Sequence, residues 1–138
     1  MIQNKNELIN YRLQRSRESY SDAELLANNG RWNSAINRLY YAAYYAATAL
    51  LLKNDLTPTT HNGAKLKLSE YFIKPGIISR DTGKMYSQLF GWRQKGDYDD
   101  LFDFTEEKVV VYFEPVKSFI DLIETLLAEN NTSTQSLR

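Results

Sequence analysis

The residues best suited to chemistry in this chain lie together in segment 91–100. Arg93 lies near the end of a stretch with helical apolar spacing, and Gly96, Asp97, Tyr98 and two further aspartates follow it. A guanidinium presents a planar set of donors that matches a phosphate group. A neighbouring carboxylate can orient that guanidinium, and a tyrosine adds a ring or a hydroxyl. These residue types could form a phosphate- or nucleotide-binding site that includes Arg93, Asp97 and Tyr98, although residue chemistry alone favours a structural role for Arg93 and Tyr98.

The same segment also has a purely structural interpretation. Arg93 and Asp97 are four residues apart, so a continuous helix would let them form an intrachain ion pair. Tyr98 could close one end of a helical bundle, and Asp99 and Asp100 could belong to a solvated acidic loop. Three carboxylates could also bind a divalent cation, but the solvated loop is the favoured interpretation. An ion pair and a ligand site are compatible, because an aspartate can hold an arginine in position for a ligand.

Arg38, Tyr41 and Tyr45 form a second group of candidates, because they share one face of a predicted helix. A charged residue in an otherwise apolar helix needs a partner. These residues could form the second wall of the same phosphate site, or they could lie in a dimer contact or in the core with satisfied hydroxyls. His61 is the only histidine, and its ordinary pKa suits a general base. A capping or loop hydrogen bond is its favoured role.

The elements that must position these residues are helices. Apolar residues recur at helical spacing throughout the chain, which predicts an all-α fold without strands. The second helix is apolar nearly all round, so we expect it to be buried among neighbours or in a subunit contact. Thr105 is the predicted cap of the last helix, and Pro115 should kink that helix. The predicted helices span roughly 5–28, 32–53, 62–72, 79–94 and 106–128.

Composition narrows the function further. The chain has 138 residues with equal numbers of basic and acidic side chains, 17 of each, so nucleic acid would have to be bound by a local patch. The absence of cysteine and the single histidine argue against disulfides and metal sites, and no cofactor is expected. Neither a signal peptide nor a membrane span is indicated, so we expect a cytoplasmic protein. We expect one domain over 1–128 and a disordered polar tail over 129–138.

Three stretches, in this order and spacing, resemble the HEPN superfamily and in particular its small stand-alone bacterial and archaeal branch. They are residues 29–47 (NGRWNSAINRLYYAAYYAA), 60–63 (THNG) and 89–100 (LFGWRQKGDYDD). The resemblance covers about residues 7–127. It implies an up-and-down helical bundle of four long helices plus one short helix. It also implies a homodimer whose sites face each other, and a minimal nucleotidyltransferase as partner in a toxin–antitoxin or defence-type module.

The resemblance implies a catalytic pattern from which this chain departs. Active members are metal-independent RNases with an arginine, four to six further residues, and then a histidine. The arginine corresponds to Arg93, but the residue five positions later is Tyr98. Tyrosine has an ordinary pKa near ~10 and is a poor proton shuttle at neutral pH. We therefore expect a regulatory subunit that binds RNA or a nucleotide. The alternatives are a divergent RNase that uses Arg93 with Tyr98 or His61, and a structural interaction module.

Overall fold

The structure is a computed structural model that describes residues 4–98 and 102–136, with side chains over 4–96 and 102–129. The all-α fold class predicted from the sequence is confirmed, and the described residues contain no strand. In chain order the elements are α1 (Lys5–Asn28), α2 (Trp32–Lys53), α3 (His61–Leu68), a π-helical turn (Ser69–Ile73), α4 (Arg80–Tyr98), α5 (Glu106–Val110) and α6 (Phe113–Ser136).

Helix α2 is the central element, and α1, α3, α4, α5 and α6 all pack against it. Its alanines are buried, which lets neighbouring helices approach closely. The Ser16 hydroxyl of α1 donates to the Ala42 carbonyl at 2.6 Å, a distance that only small side chains between the two helices allow. Gly30 turns the chain between α1 and α2 with a φ of +69°. Most of α2 is therefore buried within one chain.

Side-chain caps begin four of the helices. Asn4 accepts a hydrogen bond from the Glu7 amide, Thr60 from the Gly63 amide, Ser79 from the Thr82 amide, and Thr105 from the Lys108 amide. The predicted cap at Thr105 is therefore confirmed. The cap of α3 is Thr60, so His61 does not serve as its capping residue.

The last predicted helix is divided, which corrects the prediction of one helix kinked at Pro115. Helix α5 ends at Val110 and α6 begins at Phe113, and the Tyr112 amide bonds the Val109 carbonyl at 3.0 Å between them. Pro115 therefore lies in the first turn of α6, where a missing amide proton costs little. The predicted boundary between a domain at 1–128 and a polar tail stays a prediction.

Helix α4 continues past Gln94, where the sequence predicts its end. A Cβ added at Gly96 would lie 3.3 Å from the Phe104 ring, so the glycine lets that ring pack close to the helix. On the same helix the Trp92 indole nitrogen donates to the Tyr112 hydroxyl at 2.9 Å. These contacts fix how α4 is rotated and therefore which way Arg93 points. The side chains of segment 97–98, and residues 99–101 altogether, lie outside the described residues.

The two glycines inside α4 give a matched stability test. A Cβ at Gly91 meets nothing within 4 Å, whereas a Cβ at Gly83 would lie 2.6 Å from the Ile73 Cδ1 atom. Gly91→Ala should raise the free energy of unfolding by about 0.5–1 kcal/mol, because alanine favours the helix. Gly83→Ala should lower it by about 1 kcal/mol, because the overpacked Ile73 must move. Urea denaturation measures both, and a similar gain in both variants would contradict this packing.

Candidate anion-binding site

Arg93 is the cation that the sequence places first, and the structure packs it against tyrosine rings of α2. Its guanidinium carbon lies 5.4 Å from the centroid of the Tyr40 ring and 5.9 Å from that of Tyr41. Both separations are within the range of cation–π attraction. The Arg93 side chain is half-buried. A half-buried guanidinium against aromatic rings has a fixed position and still reaches the surface.

Arg38 reaches the same rings from α2 itself. Its guanidinium carbon lies 4.8 Å above the Tyr41 ring, and its Nη2 donates to the Asn37 side-chain oxygen at 2.9 Å. In the described part of the chain, the contacts of Arg38 include no carboxylate. We expected from the sequence that the Arg38 charge needs a partner. The structure supplies the side-chain amide of Asn37 and the ring of Tyr41. Neither neutralises the charge, so Arg38 remains a cation able to attract an anion.

His61 joins this group from the start of α3. Its Nδ1 lies 2.8 Å from the Tyr40 hydroxyl, and its ring lies 4.4 Å from the Tyr44 ring and 5.7 Å from the Tyr41 ring. We call the following group the Arg–Tyr cluster: Arg38, Tyr40, Tyr41, Tyr44, Tyr45, His61 and Arg93.

The hydrogen bond between Tyr40 and His61 joins a buried hydroxyl to the histidine ring. Burial raises the pKa of Tyr40 well above its ordinary value, and the nearby positive charge of Arg93 offsets only part of this effect. The Tyr40 hydroxyl therefore stays protonated at neutral pH, and its bond to Nδ1 fixes the position of the His61 ring against α2.

Two further arginines reach the edge of the cluster from α1. The Arg15 guanidinium carbon lies 5.5 Å from the Tyr45 ring centroid, and a hydrogen bond with Tyr45 raises the pKa of Arg15. Arg12 donates to the Thr48 carbonyl at 3.2 Å. Its charge partly offsets the effect of burial, which raises the pKa of Tyr44. Cations from α1, α2 and α4 therefore surround one group of tyrosines.

Of the predicted site residues, the structure brings Arg38, Tyr41, Tyr45, His61 and Arg93 together. The other two, Asp97 and Tyr98, lie on the last turn of α4, where the side chains are outside the described residues. Sequence reasoning missed four members or neighbours of the cluster, namely Arg12, Arg15, Tyr40 and Tyr44. The signal for the two arginines is their spacing of three residues on one side of α1. Only the packing of α1 on α2 shows that this side meets the tyrosines.

The chemistry of the cluster is that of an anion site. Guanidinium forks bind phosphate oxygens, and half-exposed tyrosine rings can stack on bases. No group of three or more His, Asp or Glu side chains able to hold a metal ion lies within the described residues. No helix in that part of the chain is long and apolar enough to cross a membrane.

The buried tyrosines generate a prediction for alkaline pH. Burial raises the pKa of Tyr40 and of Tyr86, which is almost fully buried beside it. Above pH ~10 the unfolded chain loses protons that the native state keeps. The free energy of unfolding should therefore be insensitive to these groups below pH ~10. Above pH ~10, each buried tyrosine with a raised pKa should lower the free energy of unfolding by about 1.4 kcal/mol per pH unit.

Tyr86→Phe is the matched variant for this test, because it keeps the ring and removes one titrating hydroxyl. Urea denaturation between neutral pH and pH ~11 should give a shallower alkaline decline for this variant than for the wild type. Equal declines would mean that Tyr86 loses its proton as readily in the folded state as in the unfolded one.

Comparisons with known proteins agree with the observed fold and identify the family to which the chain belongs. The HEPN domain model matches residues 9–126. A UPF0332 protein of Thermotoga maritima is 38% identical over 125 residues, which is 91% of this chain and 95% of that protein. A Methanocaldococcus jannaschii protein named "Putative toxin MJ0605" is 32% identical over 112 residues, 81% of this chain and 83% of that protein. The resemblance seen in the sequence is confirmed, and the chain belongs to the HEPN domain family.

Proposed function

We propose that this protein is a HEPN-type subunit that binds RNA or a nucleotide through the Arg–Tyr cluster. The observation that carries the proposal is the convergence of Arg38 and Arg93 on the ring of Tyr41, with His61 against the same ring. Two fixed cations and an imidazole ring then face one ligand. This set suits a phosphodiester, whose oxygens accept several charge-assisted hydrogen bonds.

The tyrosines complete the match to a nucleotide. Tyr41, Tyr44 and Tyr45 are half-exposed, and stacking of a base on an aromatic ring is worth about 1–3 kcal/mol. The overall charge of the chain is zero, so attraction to nucleic acid has to come from a local patch. The Arg–Tyr cluster, with Arg12 and Arg15 at its edge, supplies such a patch.

The biological setting is proposed from the family. Two relatives carry the word toxin in their names. We propose that the chain likewise works in a toxin–antitoxin or defence-type module with a minimal nucleotidyltransferase, as a homodimer in the cytoplasm. Tyr98 stands where active family members have a histidine, which favours recognition over cleavage.

The alternative function is a divergent metal-independent RNase that uses Arg93 with Tyr98 or His61. The hydrogen bond between His61 Nδ1 and the Tyr40 hydroxyl, at 2.8 Å, holds the imidazole in place for either function.

Arg93→Gln, with Arg17→Gln as its matched control, tests the proposal. Arg17 is also on a helix but pairs with Asp121 and Glu124 of α6. Fluorescence anisotropy with a labelled single-stranded RNA should show that Arg93→Gln weakens binding about ten- to hundredfold, the range for charge-assisted hydrogen bonds. Arg17→Gln should bind as the wild type does, and circular dichroism should show both variants folded.

The same RNA incubated with the wild type in EDTA tests the alternative, and we expect no cleavage. Equal affinities of the wild type and Arg93→Gln would contradict binding at the Arg–Tyr cluster. Cleavage by the wild type that Arg93→Gln abolishes would replace recognition by the RNase alternative.

A further inference from the structure

A second cationic pocket lies between α4 and the segment formed by α3 and the π-helical turn. Its volume is about 360 Å³, and Lys65, Arg80 and Lys84 line it together with Ser69 and Ser87, which carry hydroxyls. Among the residues whose side chains the structure describes, none that lines it is acidic. Three cations and two hydroxyl donors around one cavity are the groups that bind a phosphate. We call this cavity the α3–α4 pocket.

Local backbone geometry creates the pocket. The Lys74 amide bonds the Ser69 carbonyl at 2.9 Å, which widens the last turn of this segment into a π-helical turn. Ile73 of that turn packs on Gly83 of α4 so closely that a Cβ there would lie 2.6 Å from it. Ile73 and Gly83 thus close one side of the cavity, and Arg80 and Lys84 stand at its exposed rim.

Lys65 lies between the α3–α4 pocket and the Arg–Tyr cluster. Along α3, Lys65 comes one helical turn after His61 and one turn before Ser69, so these three residues follow one edge of the helix. The Lys65 Nζ lies 4.7 Å from the centroid of the Phe90 ring, and that ring lies 6.3 Å from the Tyr40 ring. The edge of α3 that carries Lys65 therefore runs from one cationic site to the other.

Helix geometry gives the distance between the two cationic sites along α4. Nine residues of α4 separate Lys84 from Arg93, which corresponds to roughly 14 Å along the axis at 1.5 Å per residue. The phosphate of one nucleotide cannot reach both sites at once. A ligand that fills both must carry phosphates several nucleotides apart.

We propose that the α3–α4 pocket binds a second phosphate of the ligand whose first phosphate lies at the Arg–Tyr cluster. This inference rests on the proposed function and deepens it, because it makes the ligand a single-stranded RNA that extends from the Arg–Tyr cluster past Lys65 to the α3–α4 pocket. Lys65 lies between the two sites and contacts the RNA strand there. Arg80 and Lys84 position the strand by its backbone without reading its bases.

The double variant R80Q/K84Q tests the pocket, and K67Q/K117Q is its control. Lys67 packs over the Tyr71 ring and Lys117 is exposed on α6, so neither lines the pocket. Both double variants remove two positive charges. Anisotropy titrations use an RNA dodecamer and an RNA dinucleotide with each protein at several salt concentrations, and circular dichroism verifies folding.

The pocket variant should bind the dodecamer about tenfold more weakly than the wild type. The slope of log affinity against log salt should become less steep by about 1.4, which is the loss of two single-strand phosphate contacts. Its affinity for the dinucleotide should be unchanged, because a dinucleotide at the Arg–Tyr cluster does not reach Arg80. The control should match the wild type with both RNAs.

Two outcomes overturn the pocket while the proposed function stands. The first is an R80Q/K84Q protein that binds the dodecamer like the wild type while Arg93→Gln does not. The second is an equal loss in both double variants, which would reflect total charge alone. A wild type that binds neither RNA overturns the proposed function and the pocket together.

Discussion

The ring of Tyr40 is the contact on which the site depends. It is fully buried in α2, and it touches His61 of α3 as well as Phe90 and Arg93 of α4. One side chain therefore sets the relative positions of three helices and of the groups they present. A buried hydroxyl must be hydrogen-bonded or it costs stability, and His61 supplies that bond. The hydrogen bond that satisfies this buried hydroxyl therefore also fixes the orientation of the only histidine in the sequence.

The way an arginine is held decides whether it can still bind a ligand. Arg17 makes ion pairs with Asp121 and Glu124 on α6, so its charge is largely compensated. Arg38 is held by the Tyr41 ring and an amide oxygen, which orient the guanidinium and leave its charge intact. A cation–π contact contributes about 0.5–2 kcal/mol, enough to order a side chain without satisfying its donors. A tyrosine-rich helix can therefore present cations on a chain whose net charge is zero.

Much of the fold could be predicted from the sequence because its determinants are local. Helical spacing predicts α1 and α2 to the residue, and the cap at Thr105 follows from a residue type at a helix start. The division of the last helix before Pro115 and the π-helical turn were not predicted. The turn docks on Gly83 through Ile73, a contact between distant residues. The extension of α4 to Tyr98 likewise places Gly96 under Phe104, whose loop packs back on the helix.

The difference between local determinants and contacts of distant residues also applies to the site. Arg38, Tyr41 and Tyr45 could be predicted to share a face because they belong to one helix, and the family resemblance pointed to Arg93. The contribution of Arg12 and Arg15 could not be predicted, because it depends on how α1 is rotated against α2. Tyr40 belongs to the helix that the sequence predicts to be buried, and it does lie in the core, but its hydroxyl also belongs to the site. Helical spacing predicts which side of a helix is buried. It does not predict which group a single buried polar atom will contact.

The most direct test of the central claim is to observe the arginine side chains themselves. Nuclear magnetic resonance of protein labelled with ¹⁵N-arginine and ¹⁵N-histidine, titrated with an RNA dinucleotide, reports which guanidinium and imidazole groups contact the ligand. We expect the Arg93 and Arg38 resonances to shift together with that of the His61 ring, and the Arg17 resonance to stay in place. Shifts confined to other arginines, with Arg38 and Arg93 unmoved at saturation, would contradict the account.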